Sequence, residues 1–277
     1  MDWAPHELNQ GFEWRPTEGP FRRVTAEQAS SYDEQGFFVL ENAFDPETVR
    51  EILEELDPIE KQTEAFLQTQ KDGRLFIARA GEITFTPQAV TRSPRLREFC
   101  SGAVFRDLVH DLVGPDVRLY WDQSVYKKPG TEEPFPWHQD NGYTFIEPQQ
   151  YLTCWVALTD TDESNGCPWV LPGVHRHGTL AHRLSDLGWV CAEDPPEAVS
   201  APVRAGGIVV FSSLTPHATG PNRTDSTRKS YIVQFAPDGA ETVARDPEGR
   251  MTRIRADASA HQFPVLVDGR EPQVGQA

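Results

Sequence analysis

The strongest constraint on the fold is a change of pattern near residue 117. From Val117 onward, short runs rich in valine, tyrosine, tryptophan, threonine and phenylalanine are separated by clusters of proline, glycine, asparagine and aspartate. Short strands with turn residues between them are typical of β-sandwiches and β-barrels. We therefore expect an antiparallel β core, with strands near residues 117–126, 151–159, 201–204, 208–211 and 230–236.

The first third of the chain has helical signals instead. Residues Thr25 and Gln28 have the spacing of a capping box, which predicts a short helix that Gly36 ends. Asp45 and Ser93 each precede a proline, which is the pattern of an N-cap residue followed by proline at the first helical position. Helices that come before the strands predict a layer of helices packed against one face of the sheet system.

No linker composition divides the chain, so we expect one domain over residues 1–277. Its expected parts are a helical region at about 24–114, a β core at about 117–236 and a C-terminal extension at about 237–277. The extension is polar, which predicts surface structure or a loosely held tail. Residues 60–92 and 183–200 lack a clear period and are candidate substrate loops or a lid.

The net charge indicates which binding partners are unfavourable, and the cysteine content indicates the cellular compartment. The chain has 42 acidic and 26 basic residues, a net charge of -16, which disfavours nucleic acid and anionic membranes as partners. The four cysteines form no CxxC pair, which predicts reduced thiols. No apolar segment resembles a signal peptide or is long enough to span a bilayer. We expect a cytoplasmic protein that acts on a small molecule, and the sequence does not predict the oligomeric state.

The first candidate site is the tripeptide His138-Gln139-Asp140. In an extended segment, alternate residues share a face, so the imidazole and the carboxylate can point to one place. Residues 141–143 (Asn-Gly-Tyr) follow as a turn signal. The tripeptide alone is a weak signal, and a surface histidine beside a solvated aspartate is the alternative interpretation.

The second part of that site is His217, which follows a predicted buried strand at residues 208–211. Two imidazoles and one carboxylate from distant strands are the facial triad of non-haem iron(II) oxygenases. Three protein ligands leave three positions at the metal, two for a chelating 2-oxo acid and one for O2. The pattern predicts an iron(II) centre in which His138, Asp140 and His217 are the metal ligands and catalytic residues.

Arg228 is the third element, 11 residues after His217, and it leads into the apolar run that begins three residues later, at 231–235. Its guanidinium is a planar, permanently charged group suited to a carboxylate, here the far end of 2-oxoglutarate. A surface arginine in a polar turn is the alternative interpretation. Ser230 lies two residues on and would share the same strand face.

Three blocks, WHQDNGY at 137–143, YLTCWVAL at 151–158 and NGCPWVLPGVH at 165–175, resemble the phytanoyl-CoA dioxygenase (PhyH-like) family of Fe(II)/2-oxoglutarate-dependent oxygenases. The resemblance runs from about residue 24 to about 235. It implies a mostly β fold with N-terminal helices, namely a double-stranded β-helix (jelly roll, cupin-like) buttressed by helices. It also implies iron binding by His138, Asp140 and His217, and binding of the C5 carboxylate of 2-oxoglutarate by Arg228.

The same resemblance implies that Thr219, Trp155 and Gln123 contact the co-substrate. Other histidines are expected to be ordinary. His175 and His177 form an HxH that could bind metal, but their turn-like segment favours a structural loop. His110 and His182 are also expected to be ordinary surface or core residues.

The activity that the resemblance implies is a dioxygenase that hydroxylates a C–H bond of a small-molecule metabolite and releases succinate and CO2. The same iron chemistry could instead carry out desaturation, cyclisation or epimerisation. A halogenase of this fold would need a small residue in place of Asp140. A jelly-roll metal-binding protein or isomerase that is not an oxygenase would have no reason to carry Arg228 and Thr219.

Overall fold

The computed structural model describes residues 3–273. The helices are α1 (Ala26–Gln35), α2 (Pro46–Gln68), α3 (Pro94–Cys100) and α4 (Ala103–Leu112). The strands are β1 (Phe37–Leu40), β2 (Arg74–Leu75), β3 (Ala78–Arg79), β4 (Ile83–Pro87), β5 (Val117–Lys127), β6 (Phe135–His138), β7 (Ile146–Glu147), β8 (Leu152–Ala157), β9 (Pro168–Val170), β10 (Arg183–Ser185), β11 (Gly188–Val190), β12 (Val199–Ser200), β13 (Ile208–Ser212), β14 (His217–Thr219), β15 (Arg228–Pro237), β16 (Glu241–Arg245), β17 (Met251–Arg255) and β18 (Pro264–Leu266).

The predicted helix starts are confirmed. Thr25 accepts a hydrogen bond from the backbone of Gln28, whose side chain accepts one from the Thr25 backbone, so the capping box is complete. Asp45 and Ser93 each accept from the backbone N–H three residues on, in front of a proline. Gly36 ends α1 with a φ of 87°, a left-handed conformation that favours glycine. The helical stretch after Ser93 is divided into α3 and α4 at residues 101–102.

Two antiparallel sheets face each other and form the predicted jelly roll. The larger has the order β1-β13-β8-β15-β5-β4-β3-β2, with β18 also paired to β5, and the smaller has the order β12-β9-β14-β6. The strands predicted near 117–126, 151–159, 208–211 and 230–236 are confirmed with small shifts of their ends. The strand predicted at 201–204 is wrong, because there only Val203 forms an isolated bridge, to Thr161.

The two faces of the larger sheet have different partners. Since side chains alternate along a strand, one face of β8, β13 and β15 packs against the four helices in the main hydrophobic core. The opposite face looks into the space between the sheets and carries a second core that includes Val125, Trp155, Phe211 and Ile232. The candidate ligands lie in this inner space, so the helices support the site from behind.

The C-terminal extension is not a loosely held tail, and this expectation is wrong for residues 263–266. Strand β18 pairs with β5 at the edge of the helix layer. Phe263, Val265 and Leu266 are at most 2% exposed, and the Arg97 guanidinium lies 3.7 Å from the centre of the Phe263 ring. A short apolar run within a polar segment therefore completes the main core.

The predicted loop at 60–92 is also more regular than expected. Helix α2 continues to Gln68, and strand β4 pairs along β5. What remains is a short hairpin of β2 and β3 with exposed Phe76 at its turn. The second predicted loop contains another hairpin, formed by β10 and β11.

The cysteines are free thiols: Cys100, Cys154 and Cys167 are buried and Cys191 is partly buried. Burial raises the pKa of Cys167 and of Cys191 to about 12, so these thiols stay protonated and act as small apolar side chains. Over residues 3–273, no helix combines the length and the apolar character that crossing a membrane requires.

Replacement of Leu266 by alanine tests whether the C-terminal strand belongs to the core. Leu266 is 1% exposed, so we expect Leu266→Ala to lower the free energy of unfolding by about 2–5 kcal/mol. Ile254→Ala is the control, since Ile254 is 67% exposed in the same extension and should change stability by about 0.5 kcal/mol or less. Chemical denaturation measures both, and equal stabilities would show that β18 contributes nothing to the core.

Candidate metal centre

The structure brings the three predicted metal ligands together. His138 ends β6 and His217 begins β14, and the two residues are direct partners in the antiparallel pair. Nε2 of His138 lies 3.9 Å and Nε2 of His217 lies 3.8 Å from Oδ1 of Asp140. Each separation is less than twice a metal–ligand bond of about 2.1 Å, so one ion can contact both atoms. All three donor atoms lie within 4.8 Å of one another.

Gln139 explains how His138 and Asp140 share one side of the chain. Strand β6 ends at His138, and Asp140 begins a 3-10 turn, so the extended segment expected over residues 138–140 is shorter than predicted. Gln139 between them is still extended, so its side chain points the other way and is fully buried. Its amide nitrogen donates to the carbonyls of Gly178 at 3.0 Å and Leu214 at 2.6 Å. These bonds anchor the backbone that carries the two ligands.

Backbone carbonyls set the orientation of both imidazoles. Nδ1 of His138 donates to the carbonyl of Pro136 at 2.8 Å, and Nδ1 of His217 donates to the carbonyl of Thr215 at 3.0 Å. Because a carbonyl only accepts, each proton must sit on Nδ1, which leaves the lone pair of Nε2 for a metal. Burial, and then the neighbouring His217, hold the pKa of His138 well below its usual value, so this ring is neutral.

Asp140 supplies the negative charge of the centre. The Thr153 hydroxyl donates to Oδ2 at 2.5 Å, while Oδ1 faces the two histidines. Burial raises the pKa of Asp140, whereas the electrostatic interaction with the neighbouring His217 and side-chain hydrogen bonds from Thr153 and Gln234 lower it. A buried carboxylate is costly without a cation beside it. Two neutral nitrogens and one carboxylate oxygen therefore fit a divalent ion such as iron(II).

His182, expected to be an ordinary histidine, supports this loop. Its Nε2 accepts a hydrogen bond from the backbone of Gln139 at 2.9 Å, and its Nδ1 donates to the carbonyl of Leu180 at 2.9 Å. Burial lowers its pKa to about 4, which keeps the ring a neutral acceptor. Gly142 lies against the same ring so closely that a Cβ would be 2.1 Å from it. The turn after Asp140 therefore requires glycine.

Arg228 lies in the same inner space, at the start of β15, and is 1% exposed. Its Nη1 donates to the Ser230 hydroxyl at 2.6 Å, and its guanidinium carbon lies 5.2 Å from the centre of the Trp155 ring. Within the described part of the chain, Nε and Nη2 are buried without a hydrogen-bond partner. These two N–H groups form one edge of the guanidinium, which suits a carboxylate bound through both oxygens. Burial lowers the pKa of Arg228 to about 10, so it remains charged at neutral pH.

The other predicted co-substrate residues line the same space. Gln123 and Trp155 are both register partners of Ile232, on the inner face of the larger sheet. Thr219 lies on β14 and is 8% exposed. By contrast, His175 is buried away from the centre and donates from Nε2 to the carbonyl of Asp33 at 3.2 Å, as the structural interpretation predicted.

The two hairpins from the predicted loops meet beside the centre. Arg74 of one hairpin donates to the carbonyl of Asp186 in the other. A Cβ at Gly188 would lie 3.0 Å from Ile77 and 2.6 Å from the Tyr143 hydroxyl. The Tyr143 ring stands edge-on to His138, with 5.2 Å between ring centres. The β10–β11 hairpin thus lies against Tyr143, next to a metal ligand, and the β2–β3 hairpin lies against the β10–β11 hairpin.

Comparison with known proteins agrees with this geometry. Residues 32–230 match the sequence profile of the family described as phytanoyl-CoA dioxygenase (PhyH). The chain belongs to this family. It is 27% identical over 259 residues to a protein of Stutzerimonas stutzeri named probable alpha-ketoglutarate-dependent hypophosphite dioxygenase, covering 88% of this chain and 90% of that protein.

One further relative and one solved structure broaden the comparison. Methylphosphonate hydroxylase of Gimesia maris is 29% identical to this PhyH family member over 143 residues, which cover 50% of this chain and 53% of that protein. The solved structure of SnoK, a non-heme alpha-ketoglutarate-dependent carbocyclase from nogalamycin biosynthesis, has the same fold with a TM-score of 0.66. It is 23% identical, over 79% of this chain and 86% of SnoK.

The family and the metal centre together give the activity class. This PhyH family member is an Fe(II)- and 2-oxoglutarate-dependent oxygenase that uses O2. The predicted family, jelly-roll fold, enzyme class and cofactors are confirmed. The alternative of a jelly-roll metal-binding protein without oxygenase activity is disfavoured. Such a protein would bind no carboxylate at Arg228, whose Nε and Nη2 have no hydrogen-bond partner within residues 3–273.

Replacement of Thr153 by valine tests the support of Asp140. Valine keeps the shape of the side chain but removes the hydroxyl that donates to Oδ2. We expect Fe(II) to bind about 10-fold to 100-fold more weakly, as is usual when a group that orients a metal ligand is lost. Anaerobic metal titration measures the affinity. Thr242→Val, at an exposed hydrogen bond on β16, is the matched control, and equal affinities for both variants would refute the role of Thr153.

Proposed function

We propose that this oxygenase hydroxylates a C–H bond of a small-molecule metabolite and releases succinate and CO2. In this proposal, His138, Asp140 and His217 bind the iron, and Arg228 binds the far carboxylate of 2-oxoglutarate. The observation that carries it is the Nε–Nη2 edge of Arg228, which has no hydrogen-bond partner among residues 3–273 and is buried in the same inner space as three converging metal donors. An iron centre alone would not require a buried guanidinium there.

The protein's own groups hold the reactants in place. Iron(II), when bound, supplies the reaction with O2 that decarboxylates the 2-oxo acid and oxidises the substrate. The hydrogen bond to Ser230 fixes the guanidinium of Arg228, and the Trp155 ring packs beside it. Thr219 and Gln123 line the same pocket and are proposed to contact the co-substrate. Fixed groups of this kind orient the 2-oxo acid before the reaction starts.

Aromatic side chains form the proposed substrate side of the centre. The rings of Phe135 and Tyr143 stand edge-on to His138, at 4.9 Å and 5.2 Å between ring centres, and Phe85 packs on Phe135 at 5.4 Å. An apolar wall of this kind excludes water from the reacting atoms. We propose that the hairpins β2–β3 and β10–β11 form the substrate lid, because β10–β11 lies against Tyr143 of this wall and β2–β3 contacts β10–β11.

The proposed substrate is small and is not a large polyanion. The net charge of -16 disfavours an acyl-CoA thioester at the protein surface. The names of two relatives, hypophosphite dioxygenase and methylphosphonate hydroxylase, describe small substrates of those proteins. Desaturation, cyclisation and epimerisation remain alternative outcomes of the same chemistry, and SnoK, named as a carbocyclase, has this fold.

We also propose that residues 1–277 act as one domain, since β18 joins the N-terminal helices to the jelly roll. The proposed compartment is the cytoplasm, because free and mainly buried thiols are typical of a reducing environment.

A visible charge-transfer band tests the proposed site. We expect purified protein with Fe(II) and 2-oxoglutarate, kept without O2, to develop a metal-to-ligand band in the visible. Asp140→Ala should abolish it because a metal ligand is lost. Arg228→Ala should weaken 2-oxoglutarate binding by about 10-fold or more, because a charge-assisted bidentate contact is lost. Arg223→Ala, at an exposed arginine in the turn before β15, is the control and should behave like the unmodified protein.

Product analysis then separates the proposed hydroxylation from its alternatives. With O2 and the correct substrate, succinate should form and the product should gain the mass of one oxygen atom. A product that has lost two hydrogens would indicate desaturation instead of hydroxylation. A product that is an isomer of the substrate would indicate epimerisation. Absence of the visible band in reconstituted wild-type protein would overturn the proposed function.

A further inference from the structure

The N-terminal residues pair with a segment that is linked to the metal centre. Residues 3–12, which we call the N-terminal arm, precede residue 32, where the match to the PhyH family begins. They run beside residues 177–182, which we call the supporting segment. Two backbone hydrogen bonds of 2.8 Å and 2.9 Å join the arm to this segment, one on each side of an antiparallel bridge between Pro5 and Leu180. A part of the chain outside the matched region is therefore built into the surroundings of the metal centre.

The Asn9 side chain adds the polar contacts of the arm. Its amide nitrogen donates to the carbonyls of His177 at 2.8 Å and Thr179 at 2.9 Å. Its carbonyl oxygen accepts a hydrogen bond from the Gln149 side chain at 3.2 Å. Gly178 lies between the two accepting residues with a φ of 71°, and a Cβ there would lie 2.7 Å from the amide nitrogen of Asn9. The backbone conformation and the close approach of Asn9 both favour glycine at this position.

The supporting segment in turn holds the side chains on both sides of Asp140. Gln139, before this ligand, binds the backbone of the segment with both ends of its amide, at 3.0 Å and 2.7 Å. Asn141, after the ligand, donates to the Thr179 hydroxyl at 2.7 Å. Thr179 is thus bound by Asn9 at its carbonyl and by Asn141 at its hydroxyl. Because Gln139, Asn141 and Thr179 have no exposed surface, water cannot replace these hydrogen bonds when one is lost.

A chain of hydrogen bonds therefore connects the arm to a proposed iron ligand. We propose that the N-terminal arm is part of the iron site and that Asn9 is a positioning residue for Asp140. Asn9 acts through the buried residues Thr179 and Asn141, and it holds the supporting segment where both neighbours of Asp140 can bind it. Groups that orient a metal ligand strengthen the binding of the metal. This inference rests on the proposed function, because it takes Asp140 as an iron ligand.

Replacement of Asn9 by alanine tests this role in the full-length protein. We expect Asn9→Ala to bind Fe(II) about 10-fold more weakly, as is usual when a group that orients a metal ligand is lost. Gln150→Ala is the matched control. The Gln150 side chain binds the backbone of Arg15 at 2.9 Å and 3.1 Å, so its loss also removes hydrogen bonds to the N-terminal region, but away from the supporting segment. Anaerobic metal titration measures the affinities, and the control should bind Fe(II) like wild type.

Hydrogen exchange of the wild-type protein tests the same proposal without a variant. Because coupling between two sites is reciprocal, iron must hold the arm in place by the same factor by which the arm strengthens iron binding. We expect Fe(II), added without O2, to slow amide exchange in residues 4–9 by about 10-fold relative to the metal-free protein. Residues 13–18 are the internal reference, and their exchange should not change. Mass spectrometry of the peptides measures both.

The outcomes separate this inference from the function beneath it. If Asn9→Ala binds Fe(II) as tightly as wild type, or if iron leaves the exchange of residues 4–9 unchanged, the arm only stabilises the fold, and the oxygenase assignment stands. Equal losses of affinity in Asn9→Ala and Gln150→Ala would also refute the role of Asn9. If wild type does not bind Fe(II), the proposed function itself is wrong. The exchange measurement decides the matter even if Asn9→Ala does not fold.

Discussion

The antiparallel pairing of β6 with β14 is the interaction on which the site depends. It places His138 directly opposite His217, so two imidazoles from segments almost 80 residues apart have ring centres only 4.1 Å apart. Each ring is then fixed by a backbone carbonyl two residues before it. A slip of one residue in this pairing would turn one imidazole to the other face of the sheet, and the three donors would no longer converge.

The inner space holds charges that are each incomplete without a ligand. Asp140 is a buried carboxylate between neutral rings, and Arg228 is a buried guanidinium whose Nε and Nη2 have no hydrogen-bond partner in the region that the structure describes. Such groups lower the stability of the folded protein, and they persist where the surrounding core holds them in place. In this protein, the larger sheet, which packs on the helices, and the hydrophobic core between the two sheets hold these groups in place. The positions of the charges also divide the pocket into a metal end and an anion end.

Features of the fold and the site could be predicted from the sequence where the residues that determine them are close together in the chain or have distinctive types. The helix caps at Thr25, Asp45 and Ser93 need only neighbouring residues, and the metal ligands have distinctive types and spacing. The supporting roles of Thr153 and His182 were missed because their hydrogen-bond partners are fixed only by the tertiary fold.

The C-terminal strand was missed because its short apolar run, residues 263–267, is surrounded by polar sequence, and its partner β5 lies about 140 residues earlier. This long-range pairing has a consequence for biosynthesis. While the chain is being made on the ribosome, the four helices and strand β5 emerge long before residue 264 does. Until then, the apolar surface that β18 covers faces solvent, and a chaperone that binds apolar segments has a site there.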